Sequence, residues 1–136
     1  MITSEKFAVD TNILIYLHDD NEVHKKQVTI EIMRKKPVIP SQVISEYLKV
    51  LKRLTREPKL RLIEHCLITM EDCHIVSTNI ELVKKAKDLI IRYDFQLYDS
   101  LIVAAALISG CKSLYSEDLQ HNFLVENRLR IINPFL

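Results

Sequence analysis

The sequence predicts an α/β domain in three layers (α/β/α), with a short, mostly parallel central sheet of about five strands. Three observations predict it. Apolar runs of three or four residues alternate along the chain with longer stretches of helical period, as parallel strands and their crossover helices do. The runs are apolar end to end, as strands covered on both faces must be. The 136 residues are 48% hydrophobic and carry no repeat, low-complexity tract or Gly/Ser/Pro-rich linker, so residues 1–136 form a single domain with one core.

The elements follow in order. Lys6 to Val9 reads as the first strand, centred on Phe7-Ala8-Val9. Thr11 to Leu17 turns helical through Ile13, Leu14 and Leu17, and a more polar helix from Val23 to Arg34 buries Val28, Ile32 and Met33. Pro37 to Pro40 brackets a very short strand, and Ser41 is a candidate N-cap for the next helix. From Gln42 to Leu54 the period places Val43, Tyr47, Val50, Leu51 and Leu54 on one face. Pro58 falls in the first turn of a helix reaching Ile68, and Cys73 to Val76 is the third strand. Thr78-Asn79-Ile80-Glu81 matches a capping box, opening a helix that ends near Tyr93. Asp99 to Ser109 is a nearly all-apolar helix, with Gly110 at its left-handed C-terminal cap. Ser113-Leu114-Tyr115 and Arg130-Ile131-Ile132 supply the last strands.

Composition excludes several classes of site. At ~7% average usage a chain of this length holds roughly nine or ten glycines; this one holds a single glycine. A Walker A loop, a G-x-G-x-x-G turn and a G-x-S-x-G elbow each need at least two close together, so none can be built. With 19 Lys+Arg against 18 Asp+Glu there is no polybasic arm. Phosphate affinity must come from local placement or from a bound cation. The longest apolar run, Leu101 to Ile108, is far short of the ~20 residues a membrane helix needs. Met1 to Lys6 lacks the order of a secretory leader. Three cysteines without a C-x-x-C pair read as reduced thiols of a cytoplasmic protein.

Four acids stand out against apolar surroundings. Asp10 ends the first strand, where open α/β sheets bind ligands, and it is equally a good helix N-cap. Taking ~100° per residue, Glu46 lies on the rim of the apolar arc of its helix, and Lys49 and Lys52 occupy the far side of that arc. It needs a cation or donors there, and a salt bridge to Arg53 or Arg92 is the plain alternative. Asp99 opens the most buried helix, where the helix dipole alone favours an acid. Asp118 follows the strand Ser113 to Tyr115 and also suits an ordinary turn. Converging on one crevice, four such carboxylates repel one another unless a cation joins them, and hard oxygen ligands suit Mg²⁺ or Mn²⁺.

In order and spacing these motifs resemble the PIN-domain nucleases, in particular the small VapC-like toxin ribonucleases of type II toxin–antitoxin systems. The resemblance runs over essentially the whole chain, through Val9-Asp10-Thr11-Asn12-Ile13-Leu14, Ser45-Glu46-Tyr47-Leu48, Tyr98-Asp99-Ser100-Leu101-Ile102-Val103-Ala104-Ala105-Ala106 and Tyr115-Ser116-Glu117-Asp118. It implies Asp10, Glu46, Asp99 and Asp118 as catalytic metal ligands for Mg²⁺ or Mn²⁺, with Asn12 and Ser116 orienting them. It also implies hydrolysis of RNA phosphodiesters by metal-activated water, leaving a 5′-phosphate, an antitoxin partner that enters the acidic groove, and a homodimer. One departure is Gln120, where the family often has a further acid; this weakens the case for a tightly held second ion.

Basic side chains that could grip RNA are Lys49, Lys52, Arg53 and Arg56 along one helix, and Lys112, His121 and Arg128 late in the chain; a solvated helix face explains most of them equally well. His65-Cys66 and Cys73-His74 lack zinc-finger spacing. His18 and His24 fall in a polar stretch, and the five tyrosines show no spacing of a stacking platform. Competing functions are an inactive PIN scaffold, an RNA-maturation nuclease without an antitoxin, and a phosphohydrolase with Asp10 as nucleophile. The last wants a second aspartate where this chain has Asn12. Setting the four acids aside leaves 19 positive against 14 negative side chains (18 minus 4), a modestly basic rim.

Overall fold

The computed structural model describes residues 5–136; positions 1–4, most of the stretch read above for a leader, lie outside the described residues. The strands are β1 (Phe7–Val9), β2 (Val38–Pro40), β3 (His74–Val76), β4 (Ser113–Tyr115), β5 (Leu124–Val125) and β6 (Leu129–Ile132). They form one sheet in the order β3-β2-β1-β4-β6-β5, parallel throughout except for the β5–β6 hairpin. The helices are α1 (Thr11–Ile15, continued by a 3-10 turn over Tyr16–His18), α2 (Val23–Arg34), α3 (Ser41–Thr55), α4 (Lys59–Thr69), α5 (Ile80–Tyr93) and α6 (Leu97–Ile108). They flank the sheet in a three-layer α/β arrangement, as the alternating pattern predicts.

The core forms where the apolar runs predict it. β1, β2 and β4 are buried at every position, and Ala8 pairs with Val38 on one side and Leu114 on the other. Seven residues of α6, Ser100 and Ile102 to Leu107, are buried, so a helix enclosed on nearly all sides accounts for its unbroken apolar run. The connection from β1 runs to β2 and β3 on one side, and the chain then crosses back to place β4 on the other side of β1. That reversal opens a crevice at the carboxyl ends of β1 and β4.

Local expectations differ from the structure in identifiable ways. The sheet has a sixth strand, β5. Its signal is only two residues long, and its tight turn uses Glu126 and Asn127 at φ 52° and 55° instead of the Asn-Gly pair that announces such hairpins. Ser41 does not cap α3; Pro40 holds that position, and the Ser41 hydroxyl accepts from Thr78 N at 3.0 Å. Asn79, not Thr78, caps α5, accepting from Leu82 N at 2.9 Å. Pro58 is the residue before α4 instead of part of its first turn. Leu54 is 55% exposed because the last turn of α3 lies outside the core.

With one glycine, the chain makes left-handed turns at seven other residues among those described, including Arg56 and Asp94 closing α3 and α5. Gly110 sits at φ 78° after α6, and N–H groups of Gly110 and Cys111 donate to the carbonyls of Leu107 and Ala106. A Cβ added there meets nothing within 4 Å, so the cost of Gly110→Ala is backbone strain alone. We expect it to lower unfolding free energy by about 1 kcal/mol in chemical denaturation, with no loss of folded signal.

Candidate active site

Asp10 is placed by both of its alternatives at once. Its backbone N–H continues the β1–β4 ladder by donating to Tyr115 O at 2.9 Å, and its side chain caps α1 by accepting from Thr11 N at 2.7 Å. The other carboxylate oxygen accepts from the Ser116 hydroxyl at 2.9 Å and from Asn12 Nδ2 at 3.2 Å. Ser116 is fully buried and also accepts from Leu119 N at 3.2 Å. Asn12 reaches across to the same loop, its Oδ1 accepting from Glu117 N at 3.0 Å. The start of α1 and the turn after β4 are thereby stitched around one carboxylate.

Glu46 reaches the crevice from α3. Its carboxylate accepts from the Thr11 hydroxyl at 2.7 Å and from Gln42 Nε2, one turn earlier, at 3.0 Å. Neither Arg53 nor Arg92 pairs with it. Arg92 instead joins Lys85 and Arg128 around Glu126, at 3.2, 2.7 and 3.3 Å. Asp99 stands in the first turn of α6 and Asp118 in the turn after β4; among the described residues neither carboxylate has a hydrogen-bond or ion-pair partner.

All four acids line one open cleft of about 900 Å³, together with Lys49, Arg53, Tyr98 and Glu117. Their electrostatics reflect that grouping. Burial pushes the Asp10 carboxyl up to about 6; its bonds from Ser116 and Thr11 pull it down, while Asp99 and Glu46 raise it further. Burial also raises Asp99, reinforced by Glu46 and Asp118. As the side chains stand, no three of the described His, Cys, Asp or Glu residues come close enough to enclose one ion. Asp10 and Glu46 are turned onto protein donors.

Glu117, between Ser116 and Asp118, is engaged otherwise. It accepts from the Tyr16 hydroxyl at 2.5 Å and from Lys25 Nζ at 2.6 Å, and Lys25 lies 4.9 Å from the Tyr16 ring centre and 5.4 Å from that of Phe135. Burial raises the Glu117 carboxyl, but the Lys25 and Tyr16 bonds outweigh it and leave the group below its ordinary value. This clamp, the Thr11–Glu46 bond and the Gln42–Glu46 bond have no part in the sequence reading. Only Gln42 could have been found, from its i,i+4 spacing to Glu46.

The candidate RNA contacts divide. Lys49 and Arg53 line the cleft. Lys52 and Arg56 are exposed on α3 and just beyond it, outside the lining. Lys112 and Arg128 precede β4 and β6 and so stand at the amino ends of these strands, across the sheet from the cleft. His121 accepts from Asn133 N at 2.9 Å through Nδ1, beside but outside the cleft. The Cys/His pairs form no metal site: His65 bonds Glu57 at 3.0 Å, Cys66 packs on Met70, and His74 is exposed on an edge strand.

The PIN-domain profile matches residues 7–123. The chain belongs to the PIN-domain family. Among solved structures it is similar to the Mycobacterium tuberculosis toxin VapC20, described as cleaving the sarcin–ricin loop, at 17% identity and a TM-score of 0.67 over 83% of this chain and 90% of that one. It is also similar to a chain of a toxin–antitoxin complex from Klebsiella pneumoniae, at 15% identity and a TM-score of 0.70 over 95% and 97% of the two chains. Both likenesses are of fold. No curated protein sequence matches the chain. No helix among the described residues is long and apolar enough to cross a membrane.

Proposed function

We propose that this protein is a metal-dependent endoribonuclease that hydrolyses RNA phosphodiester bonds, and that it is the toxin of a toxin–antitoxin pair. The observation that carries the reading is a single cleft at the topological switch point lined by Asp10, Glu46, Asp99 and Asp118, none of them paired with a cation among the described residues. The donor set fits a hard divalent ion: all four are carboxylates, and burial and mutual repulsion leave Asp10 and Asp99 short of positive charge. A bound Mg²⁺ or Mn²⁺ supplies neutralisation of the phosphodiester and acidification of water. Asp10, Glu46, Asp99 and Asp118 hold that ion, directly or through water. Ser116 and Asn12 fix the Asp10 carboxylate from behind, and Thr11 and Gln42 fix Glu46. Lys49 and Arg53 offer positive charge to neighbouring phosphates along the α3 wall.

The toxin assignment draws on the two structural likenesses, one to an RNA-cleaving toxin and one to a toxin–antitoxin complex. Exposed Leu60, Ile63 and Leu67 on one face of α4 provide apolar surface for an antitoxin or for homodimer formation. Three free cysteines favour a cytoplasmic location. The full acid set argues against an inactive scaffold, and Asn12, spent on Asp10 and Glu117, argues against an aspartyl-phosphate enzyme. The test is cleavage of structured and unstructured RNA with Mg²⁺, Mn²⁺ and excess chelator. We expect 5′-phosphate products only with free metal; full activity in chelator would overturn the mechanism.

A further inference from the structure

Beside the acidic cleft lies a second hollow of about 630 Å³, sharing Tyr98, Asp99 and Asp118 with it and bounded further by Gln96, Leu119 and Gln120. We propose that this hollow is a nucleobase subsite, holding the base of a nucleotide that flanks the scissile phosphate. The proposal rests on the ribonuclease reading above and sharpens it to a division of labour between two adjoining hollows.

The lining decides the chemistry. Both hollows are lined by carboxylates, but only the main cleft sets Lys49 and Arg53 against them; the second hollow, with Asp94, Asp99 and Asp118, carries no lysine or arginine. That wall repels a phosphate and suits an uncharged, flat ligand rich in hydrogen-bonding groups. Gln96 and Gln120 supply it with carboxamides, each both donor and acceptor, as base edges require. Neither carboxamide is spent on the protein: Gln96 holds the N-cap position of α6 without a capping bond, and Gln120 makes no side-chain hydrogen bond among the described residues.

Tyr98 supplies the platform. The other four tyrosines are committed: Tyr16 to Glu117 and Phe135, Tyr47 to His18 and Thr69, Tyr93 to Phe95 and Phe123, Tyr115 to Phe7. Tyr98 is 57% exposed and, among the described residues, has neither a ring, a cation nor a hydrogen bond as partner. A lone exposed ring at the wall between a phosphate cleft and a hollow without lysine or arginine is placed to stack a base.

The test compares two fluorescein-labelled RNA hexamers, one bearing bases and one abasic throughout, by anisotropy in Ca²⁺, together with cleavage of the parent RNA in Mg²⁺. We expect the protein to bind the base-bearing hexamer about five- to a hundredfold tighter, the range stacking of one base supports. Tyr98→Ala, at a solvent-exposed position, should remove most of that ratio, and Tyr98→Phe should keep it. Gln96→Ala and Gln120→Ala should flatten the choice among the four bases at the cut, while Lys49→Ala should weaken both hexamers alike. RNA cleavage with a hexamer ratio unchanged in Tyr98→Ala overturns the subsite alone. Neither cleavage nor binding of either hexamer overturns the ribonuclease reading and the subsite together.

Discussion

Asp10→Asn is expected to abolish RNA cleavage and, at neutral pH, to make the protein harder to unfold. The loss should reach about a thousandfold or more, since the variant removes an anionic oxygen from the centre of the acid set, equivalent to ~4 kcal/mol in the barrier. The gain in stability follows from where that charge sits. Asp10 is 5% exposed, and its carboxyl is raised from 3.8 to about 6. A raised acid binds its proton more tightly in the folded chain, so the folded state is penalised once the group ionises. The penalty is absent below the unfolded value, grows between about pH 4 and 6, and is complete above, where the rise from 3.8 to about 6 corresponds to ~3 kcal/mol. Asparagine carries no charge and its carbonyl can still accept from Thr11 N. Its amide, however, faces the Ser116 hydroxyl and Asn12 Nδ2, both donors to the native carboxylate. A net gain of about 1–2 kcal/mol remains. Denaturation at about pH 7.5 and at about pH 4 checks it, because the advantage must shrink as the wild-type carboxylate takes up its proton. Equal stability of the two proteins at both values would remove burial as the cause. Millimolar Mn²⁺ should raise the melting temperature of the wild type more than that of the variant, because the ion relieves a charge the variant no longer has.

That trade of stability for charge also marks how far the sequence could be read. The strands and helices were legible because their signals are local: an apolar run buried on both faces, or a period that separates Val43, Tyr47 and Leu51 from Lys49 and Lys52. The acids were legible because each interrupts such a pattern. Asp10, Glu46, Asp99 and Asp118 then came together through the crossover that puts β4 beside β1, a relation between distant segments. The partners of the acids were less legible. Glu46 is two turns from Arg53 in sequence, yet its carboxylate is met by Thr11, 35 residues away, because α1 and α3 pack side by side. The Lys25–Glu117 bond spans 92 residues and joins a helix face to a turn, which no period in either segment encodes. Lys112 and Arg128 lie away from the acidic cleft for a similar reason. Parallel strands put residues before a strand at one end of the sheet and residues after it at the other, and both Lys112 and Arg128 fall at the end away from the cleft.

Ser116→Ala separates the position of Asp10 from its charge. The Ser116 hydroxyl is buried, donates to Asp10 at 2.9 Å and is the strongest of the bonds that hold the Asp10 carboxyl down against burial. Without it Asn12 and Thr11 still orient the carboxylate, but its proton is held more tightly, above the wild-type value of about 6. Proton and metal ion compete for the same oxygens, so the variant needs a higher pH or more metal to reach the same occupancy. Cleavage near neutral pH should fall about 10- to 100-fold, the usual cost of removing a group that orients a metal ligand. The acid limb of the pH–rate profile should move to higher pH, and activity should return in alkaline buffer or at raised Mn²⁺. Leu119 N loses its acceptor in the same change, a cost of about 1 kcal/mol that leaves the protein folded. The profile is the deciding readout. A merely loosened loop lowers the rate at every pH, whereas a lost donor to Asp10 moves the limb itself, and a limb that stays in place would show that Ser116 holds the turn and not the charge.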